Sequence, residues 1–280
     1  MEKSQELLQT DCLNCGATVN AAFCQKCGQR NRNNLDRSLG RLLGEFISNI
    51  FFFDNRFFLS VRYLIRFPGR MTIEFLEGKR KKFISPVTLF LFLNLIYFFV
   101  NPLSDYSLSL YDQTHGQPYS KWAKELVDSK LQQEGLKQQA YGITYQNTSD
   151  NVSKSIMIIN IPMIAFFVYM MAFKQRRYYF DSLIFAFHFF SLFIISWVML
   201  DWVDTVIDFL TGNNNSMISA ISFNLFAFFI PLLYGMLSIK KFMNIRWYWA
   251  ILAGLGVMIG VSLANFLYRF IIFIVTFWVT

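Results

Sequence analysis

The chain has 280 residues, 54% of them hydrophobic, including 33 Phe. A soluble domain of this length cannot bury so much apolar surface, and the charged residues, only 16%, are bunched between the apolar runs. The formal net charge of +8 does not argue for nucleic acid, because most Lys and Arg flank those runs, where they set membrane topology and meet anionic lipid.

Residues 1–34 form a small polar head. It begins without the apolar stretch of a cleavable signal, so the first apolar run is expected to act as its own insertion signal. All four cysteines lie here, in Cys12-Leu13-Asn14-Cys15-Gly16 and Cys24-Gln25-Lys26-Cys27-Gly28. A two-residue spacing lets both thiolates of a pair reach one tetrahedral ion, and the following glycine permits the tight turn that aims backbone N–H groups at sulfur. The pattern predicts a minimal zinc ribbon with Cys12, Cys15, Cys24 and Cys27 as ligands. Four sulfurs close the coordination shell, so the Zn2+ is expected to be structural. A redox couple is the competing reading, but one ion explains two adjacent pairs better than two separate couples do. No cysteine is left for a disulfide, which fits a reducing compartment. Lys26, Arg30, Arg32, Arg37 and Arg41 give the head a basic flank, yet Phe23 is its only aromatic and no base-stacking platform is present. Nucleic acid is therefore a minority reading.

Residues 35–82 read as an amphipathic interfacial helix and a basic elbow. Over 39–67, Leu43, Phe46, Ile47, Ile50, Phe53, Phe57, Val61 and Leu64 recur at steps of three and four, while Glu45, Ser48, Asn49, Asn55, Arg56 and Arg62 fall mostly opposite. One greasy and one wet face, with too many charges to span, predicts a helix lying in the membrane interface. Pro68-Gly69 ends it, and a short second helix is expected to close at Gly78. Arg62, Arg66, Arg70, Lys79, Arg80, Lys81 and Lys82 are the candidate lipid- or partner-binding residues.

Residues 83–280 are expected to hold five spans, 83–101, 155–173, 181–200, 217–239 and 247–270, with Ser85-Pro86 capping the first. The link after the second carries Lys174, Arg176 and Arg177, and the link after the fourth carries Lys240, Lys241 and Arg246. The link 201–216 has no Lys or Arg but holds Asp201, Asp204 and Asp208. Basic links face the cytoplasm, which predicts the N-terminus inside and the C-terminus outside. The intervening 102–154 is then an outside loop, with an amphipathic helix at Tyr119–Gln139 turning Trp122, Leu126 and Leu131 inward. Residues 271–280 are expected to lie along the outer interface; a tilted, longer last helix is the alternative.

Polar groups inside lipid are expensive and call for partners. His188, mid-way along the third span, is expected to be neutral and bonded to a neighbouring helix. Asn94, Asn160, Asn224 and Asn265 supply one amide to each of the other spans. Arg269 lies near the outer end of the last span, within conceivable reach of Asp201. Gly256, Gly260 and Ala264 form a small-residue ladder that is expected to meet another helix, within the chain or in a second copy as a homo-oligomer.

Cys27-Gly28-Gln29, Arg66-Phe67-Pro68-Gly69, Glu74-Phe75-Leu76-Glu77-Gly78-Lys79-Arg80-Lys81 and Pro86 opening a span resemble an uncharacterised bacterial membrane-protein family with a zinc-ribbon head and a domain of unknown function. The resemblance covers residues 12 to about 100. It implies a bacterial inner (cytoplasmic) membrane protein with a cytoplasmic head, and it supplies no catalytic residues. The fold class expected is thus an all-α integral membrane protein: a five-helix transmembrane bundle with a small N-terminal zinc ribbon and an interfacial helix. No clustered nucleophile or open metal position is visible, so an enzyme is the weakest expectation. The function expected is a membrane adaptor or scaffold docking a cytoplasmic protein partner or anionic lipid. The alternative is a small-solute or lipid transporter using His188, Arg269 and the span prolines Pro162 and Pro231.

Overall fold

A computed structural model describes residues 10–30, 40, 55–100, 108–175, 177–211 and 216–280. The fold is mostly helical. Its only sheet among the described residues pairs β1 (Thr10–Asp11) antiparallel to β2 (Thr18–Val19), with Thr10 opposite Val19, inside the cysteine head.

The elbow follows. Helix α1 (Asn55–Arg66) buries Phe57, Ser60 and Leu64; the expected residues 41–54 of this element lie outside the described residues. Its apolar stripe packs on the bundle rather than facing only lipid, with the Phe57 ring 4.7 Å from that of Phe92. The outer face still shows Phe58, Leu59 and Ile65 beside Arg62 and Arg66. Gly69 then takes a left-handed φ of 72° at the start of α2 (Arg70–Leu76). A Cβ there would stand 2.7 Å from the Ser238 carbonyl oxygen, so glycine serves both the turn and a backbone-to-backbone approach. Gly78 closes α2 as expected. Its N–H donates to the Phe75 carbonyl and that of Lys79 to Glu74, the paired bonds of a Schellman ending.

Ser85 caps α3 (Pro86–Val100), its Oγ accepting from the Thr88 N–H at 3.2 Å. At 15 residues this helix rises about 22 Å, short of the ~30 Å of hydrocarbon. Residues 102–154, expected as a loop with one helix, instead build three: α4 (Leu110–His115), α5 (Ser120–Glu134) and α6 (Gln138–Ile156). Trp122, expected inward, is half exposed; Ala123 and Val127 take the buried positions. A single 3-10 turn, Met157–Ile159, leads from α6 into α7 (Asn160–Ala172), so the segment expected as the second span is the bent continuation of the helix before it. The amphipathic 3.6-residue signal of α6 is too weak for sequence reasoning to separate it from loop.

Three long helices complete the bundle: α8 (Tyr179–Thr211), α9 (Ser216–Met243, with Pro231 inside) and α10 (Trp247–Val279). Packing runs α7 against α8 and α10, α8 against α3 and α9, and α9 against α10. Phe90, Phe185, Phe189 and Phe242 are fully buried in the common core. The small-residue ladder of α10 is filled from within the chain. A Cβ on Gly260 would meet Phe167 at 2.8 Å, one on Gly256 would meet Met171 at 2.8 Å, and Ala264 is buried. That surface is therefore occupied by α7 rather than left for a second copy.

Residues 271–280 do not turn away from the last span, and the longer helix is the alternative realised. They continue α10, whose 33 residues rise about 50 Å, some 20 Å beyond the hydrocarbon. The surplus is clothed by α4–α6. Phe273 is buried with Leu110, Ala123, Val127, Tyr141 and Tyr145; Lys130 donates to the Phe277 carbonyl at 3.1 Å; the Tyr141 and Thr280 hydroxyls bond at 3.2 Å. Protein contacts replace lipid along the protruding turns.

Tyr179–Leu200 and Trp247–Val279 are each long and apolar enough to cross a membrane. Gln138–Ser153 with Met157–Ala172, bent by 54°, makes a third crossing if the pair is one span. The chain is a membrane protein by this measure.

Gly69→Ala is expected to lower stability in detergent by about 1–3 kcal/mol, because its Cβ meets the α9 backbone at a left-handed φ. Gly142→Ala, with nothing within 4 Å in the second turn of α6, should instead be neutral or stabilising by up to about 1 kcal/mol. Thermal unfolding of the two variants checks this; equal shifts would contradict the seating of Gly69.

Candidate metal head and basic elbow

Two knuckles with the same hydrogen-bond pattern build the head. The Gly16 N–H donates to the Cys12 carbonyl and the Cys12 N–H to that of Ala17; Gly28 donates to Cys24 and Cys24 to Gln29. Gly16 and Gly28 hold φ of 71° and 69°, a conformation glycine adopts without strain. The knuckles face each other so that the four Sγ atoms lie within 4.8 Å of one another, with Cys12–Cys27 at 3.5 Å and Cys15–Cys24 at 3.6 Å. A tetrahedral zinc with Zn–S near 2.3 Å needs sulfurs about 3.8 Å apart, so the donor set fits that ion.

Backbone N–H groups of Cys27 and Lys26 favour the Cys24 thiolate against its burial and draw its pKa down to about 7. The Ala17 N–H favours the thiolate of Cys15 as well, but burial and three neighbouring sulfurs outweigh it and push that thiol up to about 11. Several thiolates cannot share this volume without a positive charge between them.

The elbow is organised by Glu74, a residue sequence reasoning passed over. Its carboxylate is almost fully buried and accepts from Arg70 Nε at 2.8 Å and from Lys82 Nζ at 2.6 Å. Lys82 also donates to the Tyr63 hydroxyl at 3.1 Å and stands 4.3 Å above that ring, so one ammonium gathers α1, α2 and the chain entering α3. Burial opposes the charge on Glu74, but its hydrogen bonds and ion pairs with Lys82 and Arg70 prevail and hold the carboxyl below its ordinary value. The same partners hold Lys82 above its ordinary value despite burial.

The basic residues expected to face lipid or a partner thus divide. Lys82 and Arg70 are spent on Glu74, Lys79 pairs with Glu77 at 3.1 Å, and Arg80 lies 5.3 Å over the Phe75 ring. Arg62, Arg66 and Lys81 remain exposed, and Arg70 keeps about half its side chain in the open.

Elbow and bundle are stitched together at one end. Tyr234 donates to the Leu64 carbonyl at 2.9 Å, Arg177 caps α9 through the Phe242 carbonyl at 2.9 Å, and Lys240 sits 4.0 Å over Trp247. His188 is bonded to an adjacent helix, as expected, but that helix is α2: Thr72 Oγ1 and His188 Nδ1 are 2.9 Å apart. Asn160 bonds back to the Met157 carbonyl of its own chain turn rather than across to another helix. Arg269 lies toward the far end of α10, close enough to Tyr119 for its charge to act on that hydroxyl, and its buried Nε has no hydrogen-bond partner among the described residues. Asp201, Asp204 and Asp208 belong to the continuous helix α8 rather than to a link; their side chains, and with them a pairing of Asp201 to Arg269, lie outside the described residues.

Sequence reasoning also missed the contact between head and elbow. Gln29 Nε2 donates to the Gly78 carbonyl at 2.8 Å, and a Cβ on Gly78 would strike Leu13 Cδ1 at 2.8 Å. The left-handed Gly78, with φ of 99°, was legible as a cap but not as a seat.

These features define a membrane protein with a four-cysteine head resting on a charged elbow. Residues 54–98, which span α1, α2 and nearly all of α3, match a protein family described as being of unknown function, DUF3667. Neither the curated proteins nor the solved structures contain a match to the chain.

Glu74 ties elbow stability to pH. Its carboxyl titrates lower in the folded chain than the unfolded value of 4.5, so its contribution is present above 4.5 and is lost as pH falls below it. Wild type is expected to lose more stability than Glu74→Gln between neutral pH and about pH 3.5, followed by thermal unfolding in detergent. Parallel losses would contradict the clamp.

Proposed function

We propose that the chain is a multi-pass membrane adaptor whose zinc-bound head and basic elbow form a docking platform on the cytoplasmic side. On this reading α3, the α6–α7 pair, α8, α9 and α10 make five crossings of a bacterial inner membrane. The N-terminus lies inside and the C-terminal end of α10, with its α4–α6 cover, lies outside. The observation that carries the reading is the seating of the head on an elbow clamped to the same bundle end as Arg177, Lys240, Lys241 and Arg246. Clustered Lys and Arg beside spans mark the cytoplasmic face. Exposed Tyr178, Tyr179, Trp247, Tyr248 and Trp249 at this end suit a membrane-water boundary, where amphipathic rings settle.

Four sulfurs around one ion leave no position for substrate or water, so the metal would hold shape rather than perform chemistry. Phe58, Leu59 and Ile65 beside Arg62 and Arg66 give α1 an outer face suited to anionic lipid headgroups, while the head offers a compact surface for a cytoplasmic protein. His188, which motivated the transporter alternative, is engaged by Thr72 of the elbow.

In cross-linked pull-downs from membranes, the double variant Cys12→Ser, Cys24→Ser is expected to insert normally but to lose the partner recovered with wild type. Equal recovery from both proteins would contradict the docking role of the head.

A further inference from the structure

Among the described residues, two contacts that seat the head on the elbow come from the cysteine knuckles. Leu13 sits between Cys12 and Cys15, and Gln29 follows Cys27-Gly28. The seat is the Schellman turn at Gly78, which has space for Leu13 only because it lacks a side chain. The two contacts can be made together only while the knuckles face each other. Beyond a small cluster of Val19, Ala17 and the cysteines themselves, the described residues of the head have no core to hold them so. In a domain that small the metal supplies the folding energy.

We infer that the head is a metal-dependent latch: with zinc bound it covers the Gly78 turn, and on loss of the ion it releases the turn. The turn leads directly into the bundle. Its helix α2 is held to α8 by the Thr72–His188 bond and the Gly69 that precedes it abuts α9 at Ser238, so the latch touches an element wedged against two membrane helices. Release bares the buried Gly78 turn, its carbonyl included, together with the part of the half-exposed Leu13 side chain that rests on it. This rests on the reading of the four cysteines as a zinc site and adds to it when the platform is open.

The test uses the full chain in nanodiscs with Leu13→photo-leucine, an isosteric change that places a diazirine against Gly78. Cross-links to the 74–82 peptide are quantified by mass spectrometry, with zinc content measured on the same sample. Zinc-loaded protein is expected to cross-link, and stripping with excess EDTA is expected to cut the yield more than about fivefold. Gln29→Ala in the same background should keep one zinc per chain, because only its backbone carbonyl serves the knuckle, yet it should lower the yield. An unchanged yield after stripping, or an unchanged yield in Gln29→Ala, overturns the latch. Protein that binds no zinc under any loading condition overturns the underlying metal reading instead, and the metal assay tells the two failures apart.

Discussion

Between Asn55 and Leu76 there is one acidic side chain, Glu74, among four arginines. Burying a carboxylate is costly unless its oxygens are met, and here one oxygen meets Arg70 and the other Lys82. The rest of the elbow depends on that arrangement. Lys82 lies eight residues beyond Glu74, so the pair closes the turn at Gly78 from the inside and brings Tyr63 of α1 onto the same ammonium. With the turn closed, α2 presents Thr72 to His188 on one side, Gly69 to Ser238 on another, and Gly78 to the cysteine head on a third. A seven-residue helix could not stand alone in water or lipid. Here every side of it is engaged. The stretch that matches a protein family, 54–98, is this same elbow with the helix it feeds.

Length imposes the second constraint. Helix α10 is too long for the hydrocarbon by about 20 Å and remains apolar to its end. An apolar helix emerging into water must be covered, and α4–α6 supply that cover with Tyr119, Trp122 and Tyr145 against Phe270 and Phe273. The lobe and the cysteine head are thereby fixed at opposite ends of one helix bundle.

Much of this was legible in the residues. Cysteine spacing located the four clustered sulfurs, Pro68-Gly69 and Gly78 marked both ends of α2, and Ser85-Pro86 marked the start of α3, because each signal is local backbone chemistry. The long-range contacts were not legible. Glu74 reads as one more charge in a basic stretch until Lys82 is seen folded back on it. Leu13 and Gln29 look like spacer residues until Gly78 is placed beneath them. The small-residue ladder announced a close helix contact, but only the packing of α7 shows which helix makes it. The apolar tail was ambiguous for a different reason: composition cannot tell a helix covered by lipid from one covered by its own chain.

The head and the C-terminus stand at opposite ends of the bundle, and on our account they stand on opposite sides of a membrane. Paired fusions report this most directly: a phosphatase active only outside the cytoplasm and a fluorescent protein that matures only within it, each joined in turn to Met1 and to Thr280. The account predicts phosphatase activity solely from the Thr280 fusion and fluorescence solely from the Met1 fusion. Fluorescence from both ends would contradict it.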